Sequence, residues 1–207
     1  MLASETYSWS ETETREFAGV ISEKSSYMTE LLEDLTLTYR LRNQALPIVK
    51  EEVDLNEFVR RAIIHFINDP ANQEMTFNYH PYRKTVLVSI DKKWFQRIID
   101  NLIVNAVKHN PPSTTITVSI SMIEQYLVVI YIEDDGVGMN HETLDKLFQR
   151  YYRGTNTNDN GSGTGLGLAI TKQLVQLYNG SIQVKTAPNE GAKVRIILPM
   201  GTIEGNE

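Results

Sequence analysis

Cysteine is absent from all 207 residues. That excludes disulfides and thiolate-bound metal, and it suits a reducing compartment. Positive charge is scarce. Twenty Lys and Arg stand against 26 Asp and Glu, a net charge of −6. This balance argues against a general affinity for nucleic acid or for an anionic membrane surface. The apolar runs are only strand-length, whereas a helical membrane span needs about 20 such residues. The opening residues, "MLASETYSWSETETRE", lack the basic and apolar regions of a secretory signal. What is present is an ordinary globular mixture, 41% hydrophobic and 22% charged. It is long enough for one full domain with an appendage, or for two small domains.

The pattern over 15–42 predicts one long helix. Phe17, Ile21, Met28, Leu31 and Leu35 fall on a 3–4 spacing, with Lys24 and Thr38 at the remaining steps. This is an amphipathic seam suited to packing on another helix. Such a helix is roughly 42 Å long, more than a small domain needs. It reads as an arm over residues 1–45, ahead of a separate domain over 46–207. In that second part, Asp54 with Glu57 predicts a capping box opening a helix to about Phe66. Short strands follow near 75–80 and 85–90. Asp91 caps a helix stopped by Pro111 and Pro112. "TITVSISMIEQYLVVIYIED" reads as two antiparallel strands with a turn at Glu124 and Gln125. A short helix over 141–148, a polar loop over 149–164, a helix from Leu166 to Tyr178 and two closing strands complete the pattern. The expected fold is α+β: a two-layer sandwich of a mixed, mainly antiparallel sheet with helices on one face.

Three stretches carry chemistry. In "NLIVN", Asn101 and Asn105 lie i and i+4 on one helix face, with Lys108 and His109 within the next turn. Their amide oxygens either help hold a hard cation beside phosphate oxygens or cap local backbone. In "EDDGVGM", Asp134 ends a strand and precedes Gly136 and Gly138. Its carboxylate accepts from the exocyclic amine of a purine, or it is an acidic turn with Asp135 as a solvated neighbour. In "GSGTGLGLAI", glycines stand at 161, 163, 165 and 167, directly before an apolar helix. The stretch lacks the GK[ST] ending and preceding strand of a P-loop. The free N–H groups at the helix start still suit an anion, and a flexible lid alone is the other reading.

Taken in order, cation, adenine and phosphates, the stretches resemble the catalytic and ATP-binding domain of sensor histidine kinases. That domain belongs to the ATPase superfamily shared with gyrase, MutL and the heat-shock chaperones. "NLIVNAVKH" is similar to the N box, "DDGVGM" to the first glycine box, "KLFQRYYRG" to the F box and "GTGLGLAI" to the second glycine box. "NEGAKVRIILP" is similar to the family's ending, with Ala192 where threonine is common. The resemblance covers about 47–200, and residues 15–43 resemble the second helix of the dimerisation hairpin.

The resemblance implies roles. Asn105 ligates Mg²⁺ and Lys108 approaches the phosphates of ATP. Asp134 accepts the adenine N6 amine, and Gly136 and Gly138 admit the base. Phe148 and Tyr151 anchor the lid, and Arg150 reaches toward the γ-phosphate. Gly163, Thr164, Gly165, Leu166, Gly167 and Leu168 present backbone to the triphosphate. Asn101 and His109 border the nucleotide, His109 replacing a common aromatic. The hydrolysing relatives carry a glutamate where Asn101 stands, and an amide cannot take a proton from water. That favours phosphoryl transfer to a protein. None of His65, His80, His109 and His141 sits in the family's acceptor context. The chain therefore reads as a cytoplasmic fragment whose partners are an acceptor helix of the same receptor, a second copy and a response regulator. The competing expectation is a degenerate ATP-binding regulator.

Overall fold

The structure is a computed structural model and describes residues 9–124, 126–154 and 163–200. A reciprocal cap opens helix α1 (Glu11–Arg42). The Ser10 hydroxyl accepts from the Glu13 N–H at 3.2 Å, and the Glu13 carboxylate accepts from the Ser10 N–H at 2.8 Å. The arm thus begins before the apolar pattern does.

Strand β1 (Glu51–Asp54) follows, then α2 (Leu55–Ile67), β2 (Thr76–His80), β3 (Leu87–Ile90), α3 (Lys92–Lys108), β4 (Thr115–Glu124) and β5 (Leu127–Asp134). A short α4 (His141–Lys146), α5 (Gly167–Leu177), β6 (Ser181–Thr186) and β7 (Ala192–Pro199) complete the chain. Five strands form one sheet in the order β2-β4-β5-β7-β6. The β2–β4 pair is parallel and the other pairs are antiparallel. The expected mixed, mainly antiparallel α+β fold is therefore present.

Alternation in the strands supplies the core. Ile116, Val118 and Ile120 of β4, with Ile130 and Ile132 of β5, are buried among Phe95, Ile99 and Leu102 of α3 and Ile170 and Leu174 of α5. Phe95 is fully buried and meets Phe58 and Tyr178 edge-on, with ring centroids 5.6 and 6.0 Å away. Asp91 caps α3 as expected, accepting from the N–H groups of Lys93 and Trp94.

Three local expectations change. Strand β1 pairs with β3 in a separate two-stranded sheet, Val53 opposite Val88. Its sequence, "EEVD", has one apolar residue and gives no periodic signal. The Glu57 carboxylate is bound by Arg60 and Arg61 instead of reaching back to the cap. Asp54 caps α2 alone, through the Asn56 N–H. In the arm, Phe17, Ile21, Met28 and Leu35 are exposed, and of the expected seam Leu31 packs on the core. Thr38, another step of that seam, is buried as well, and Asp34 and Leu37 join it on the docked face, with α1 lying on α5. An apolar pattern gives no weight to Asp34, yet its partners on other elements fix which face docks. Among the described residues no helix is long and apolar enough to cross a membrane.

Candidate functional site

Strand β5 delivers Asp134 to the sheet's end, half-buried. Its Oδ1 accepts from the backbone N–H of Gly136 (3.1 Å) and of Ala192 (3.3 Å). Burial pushes its carboxyl above the ordinary aspartate value, and Asp135 adds to the rise. The Gly136 N–H, the Asn110 side chain and the Ala192 N–H pull it back. Asp135 is exposed, and its carboxylate caps the Thr115 N–H at 2.7 Å.

Asn110 sits just past the end of α3 and was not singled out in the sequence. Its Oδ1 accepts from the Val137 N–H at 3.0 Å, and its Nδ2 donates to the Ala106 carbonyl at 2.9 Å. A Cβ on Gly136 would overlap the Asn110 amide. A Cβ on Gly138 would overlap the Ala187 carbonyl. Both glycines therefore allow protein groups to close around Asp134. The signal that marks Asn110 is a single polar residue between a helix end and Pro111-Pro112, which reads equally well as a terminator.

The middle of α3 is tied as well. The Asn101 Nδ2 donates to the Gly167 carbonyl and to the Thr171 hydroxyl, both at 3.2 Å. Asn101 therefore holds the start of α5. Asn105 lies one turn further along the same face and is half-buried. Lys108 is exposed in the last turn, and His109 is the exposed C-cap, its N–H donating to the Asn105 carbonyl.

Helix α5 begins without a side-chain cap. Its first intrahelical bond runs from the Ile170 N–H to the Leu166 carbonyl. The N–H groups of Gly167, Leu168 and Ala169 thus form an open helix start with partial positive charge. The Leu166 side chain is fully buried, and its N–H donates to Thr164 Oγ1 at 3.2 Å. Gly165 takes φ +68°, and its carbonyl accepts from the Tyr151 N–H at 2.8 Å. That approach is close enough that a Cβ on Gly165 would lie 3.0 Å from the Tyr151 backbone. The stretch after α4 is thereby fastened to the glycine-rich stretch. The Tyr151 side chain is exposed, Arg150 is exposed, and the Phe148 ring carries Lys172 Nζ 5.2 Å above its centre. Gly163 has open space on the side where a Cβ would point. Gly161 and half of the expected 149–164 loop, residues 155–162, lie outside the described residues.

Among the described residues no cluster of three or more His, Asp or Glu could cage a metal ion. Asn105 offers one neutral oxygen, one turn along α3 from the Asn101 tie to Gly167. That donor set fits Mg²⁺, which commonly takes few protein ligands and completes its shell with phosphate oxygens and water.

Residues 90–202 match the family described as "Histidine kinase-, DNA gyrase B-, and HSP90-like ATPase". The sensor histidine kinase YvrG of Bacillus subtilis (strain 168) is 43% identical over 198 residues, 96% of this chain and 34% of that protein. Among solved structures, the mycobacterial sensor histidine kinase MprB superposes with a TM-score of 0.63 at 27% identity, covering 73% of this chain and 98% of that one. The histidine kinase ThkA, solved in complex with the response regulator protein TrrA, shares the fold with a TM-score of 0.74 at 14% identity, over 97% of this chain and 55% of that one. The chain spans about a third of the length of the curated relatives it matches.

The Gly136–Asn110 contact gives a direct check on how the Asp134 end is built. Gly136→Ala should lower stability by about 1–3 kcal/mol, read from urea unfolding. Adding Asn110→Ala removes the atoms the new methyl strikes. The double variant should then lose less than the sum of the two single losses, by on the order of 1 kcal/mol. Strict additivity would contradict the packing described.

Proposed function

The chain belongs to the histidine kinase-, DNA gyrase B- and HSP90-like ATPase family, and from that premise we propose that it is the ATP-binding catalytic part of a two-component sensor histidine kinase. The observation that carries this reading is the way α3 spans the site. Asn101, midway along α3, ties it to the open start of α5, and Asn110, just past its end, ties it to the turn around Asp134. The step of nine positions from Asn101 to Asn110 covers about 13 Å at helical rise, a span that suits an extended nucleoside triphosphate.

In this reading the Asp134 carboxylate accepts from the adenine N6 amine. The N–H groups opening α5 meet the phosphate oxygens, and Asn105 supplies one oxygen to Mg²⁺, which neutralises charge on the transferring group. Lys108 and Arg150 add positive charge near the phosphates, His109 borders the base, and Phe148 and Tyr151 hold the loop between α4 and α5. The γ-phosphoryl group leaves ADP and bonds to an imidazole nitrogen of a histidine outside these 207 residues. His65, His80, His109 and His141 all lie away from α1, on or beside elements of the second part of the chain. We assign residues 1–45 to a dimerisation region shared with a second copy, and 46–207 to the catalytic domain. A response regulator is the phosphoryl acceptor downstream, and the relatives' printed names support that assignment.

Asn101 also bears on the choice between transfer and hydrolysis. Its amide is engaged with Gly167 and Thr171 and has no basic lone pair to offer to water. Phosphoryl transfer relies on positioning and charge stabilisation more than on a strong base.

Two outcomes check this. With Mg·ATP and an acceptor-histidine helix supplied as a separate polypeptide, acid-labile phosphate should appear on that helix, and Asn105→Ala should abolish it. Tight ATP binding with no transfer to any supplied helix would instead support a regulator that only binds. ATP affinity should also fall on acidification, because protonating Asp134 turns an acceptor into a donor. Its raised carboxyl places the start of that fall above the ordinary aspartate value of 3.8. Asp134→Asn should weaken ATP by about tenfold or more and erase the pH step. Unchanged affinity in calorimetry would sink the adenine assignment.

A further inference from the structure

Asp34 is 1% exposed, on the docked face of α1. A buried carboxylate on an arm helix is costly unless it is paired. Its partners sit on two other elements. Arg97 of α3 donates through Nη2 to Oδ1, and the Thr164 hydroxyl donates to Oδ2 at 2.6 Å. A hydroxyl carries one hydrogen. Once that hydrogen goes to Asp34, the lone pairs of Thr164 are left to face donors. The Leu166 N–H donates to Thr164 Oγ1 at 3.2 Å. A directed chain results, from Leu166 to Thr164 to Asp34, with Gly165 at φ +68° held between. Leu166 immediately precedes the open start of α5.

We propose that Asp34 is a positioning residue for the phosphate-facing start of α5. By taking the Thr164 hydrogen it fixes the direction of the 164–166 turn, and so ties nucleotide affinity to the docked position of the arm. The inference rests on the ATP reading above and deepens it. Asp34 touches no phosphate itself. The consequence is a mechanical link: an arm displaced from this seat releases Thr164, and the turn before α5 loses its fixed geometry.

Two effects of Asp34→Asn have opposite signs, which makes the idea decidable. Removing a negative charge beside a phosphate loop would, by Coulomb's law alone, tighten a triphosphate. Positioning predicts weakening. An asparagine keeps the shape, but its Nδ2 donates toward Thr164 and competes with the Leu166 N–H, while Arg97 loses its carboxylate.

The test is calorimetry of the whole chain with Mg²⁺ and a non-hydrolysable ATP analogue. Asp34→Asn and Thr164→Val should each weaken binding about tenfold, and the double variant should bind about as weakly as either alone. Thr164→Ser, which returns the hydroxyl lost in Thr164→Val, should recover most of the affinity. Without nucleotide, hydrogen exchange at the Leu166 N–H should be faster in Asp34→Asn and in Thr164→Val than in the parent chain. Equal or tighter binding by Asp34→Asn, or losses that simply add, would overturn the proposal. Thr164→Val leaves the Asp34–Arg97 pair in place and carries the test if Asp34→Asn does not fold. Should the parent chain bind no ATP analogue, the ATP reading fails, and the exchange rates alone decide the link.

Discussion

Two side-chain amides hold the second half of α3 to its neighbours, one from mid-helix and one just past the helix end, and the site's geometry depends on that. Asn101 is bound to the start of α5, and Asn110 is bound to the turn that follows β5. Each amide satisfies backbone groups that would otherwise be partly buried without partners, an arrangement that costs free energy to disturb. The apolar face of α3 is pinned in the core by Phe95, Ile99 and Leu102. Any ligand that reaches from Asp134 to α5 therefore meets a spacing set before it arrives. Preorganisation of this kind reduces the ordering cost of binding.

The electrostatics divide along the same line. At one end stands a carboxylate kept partly from water, above its ordinary pKa, with backbone donors already in place. At the other, α5 begins with no side-chain cap, and its first N–H groups carry the positive end of the helix dipole. One end accepts hydrogen bonds and the other donates them. A molecule with an amine at one end and anionic oxygens at the other fits both. The arm adds a third element. Asp34 and Thr164 are 130 positions apart in sequence and join α1 to the glycine-rich stretch.

Much of this was legible in the sequence because it is local. Asp91 before an apolar helix, the alternating β4 and β5, and the glycines ahead of an apolar run each signal their element within a few residues. The resemblance to histidine kinases likewise rests on short motifs in fixed order. What the sequence did not reveal is long-range. Strand β1 exists because β3 comes to lie beside it, and "EEVD" alone says nothing of that. Of the α1 seam, Leu31 and Thr38 dock, while the docked Asp34 shows in no apolar pattern because it is polar and its partners, Arg97 and Thr164, lie far along the chain. Asn110 stands out in no local pattern, because Pro111 and Pro112 already stop the helix, and only the Gly136 turn packed against it shows why an amide is needed there. The bareness of Gly136 and Gly138 was read as room for a base. In the folded chain Asn110 and the Ala187 carbonyl occupy that space.

The central claim is that Asp134 reads adenine by accepting a hydrogen bond. Comparing ATP with GTP as Mg²⁺ complexes in parallel titrations tests it most directly. Guanine presents a carbonyl oxygen where adenine has its amine, so the Asp134 carboxylate would face a second acceptor at neutral pH. A buried polar group left facing the wrong partner costs roughly 2–3 kcal/mol, which corresponds to a preference for ATP of about thirtyfold to 150-fold. Such a preference is the expected result. Equal affinity for the two nucleotides would contradict it.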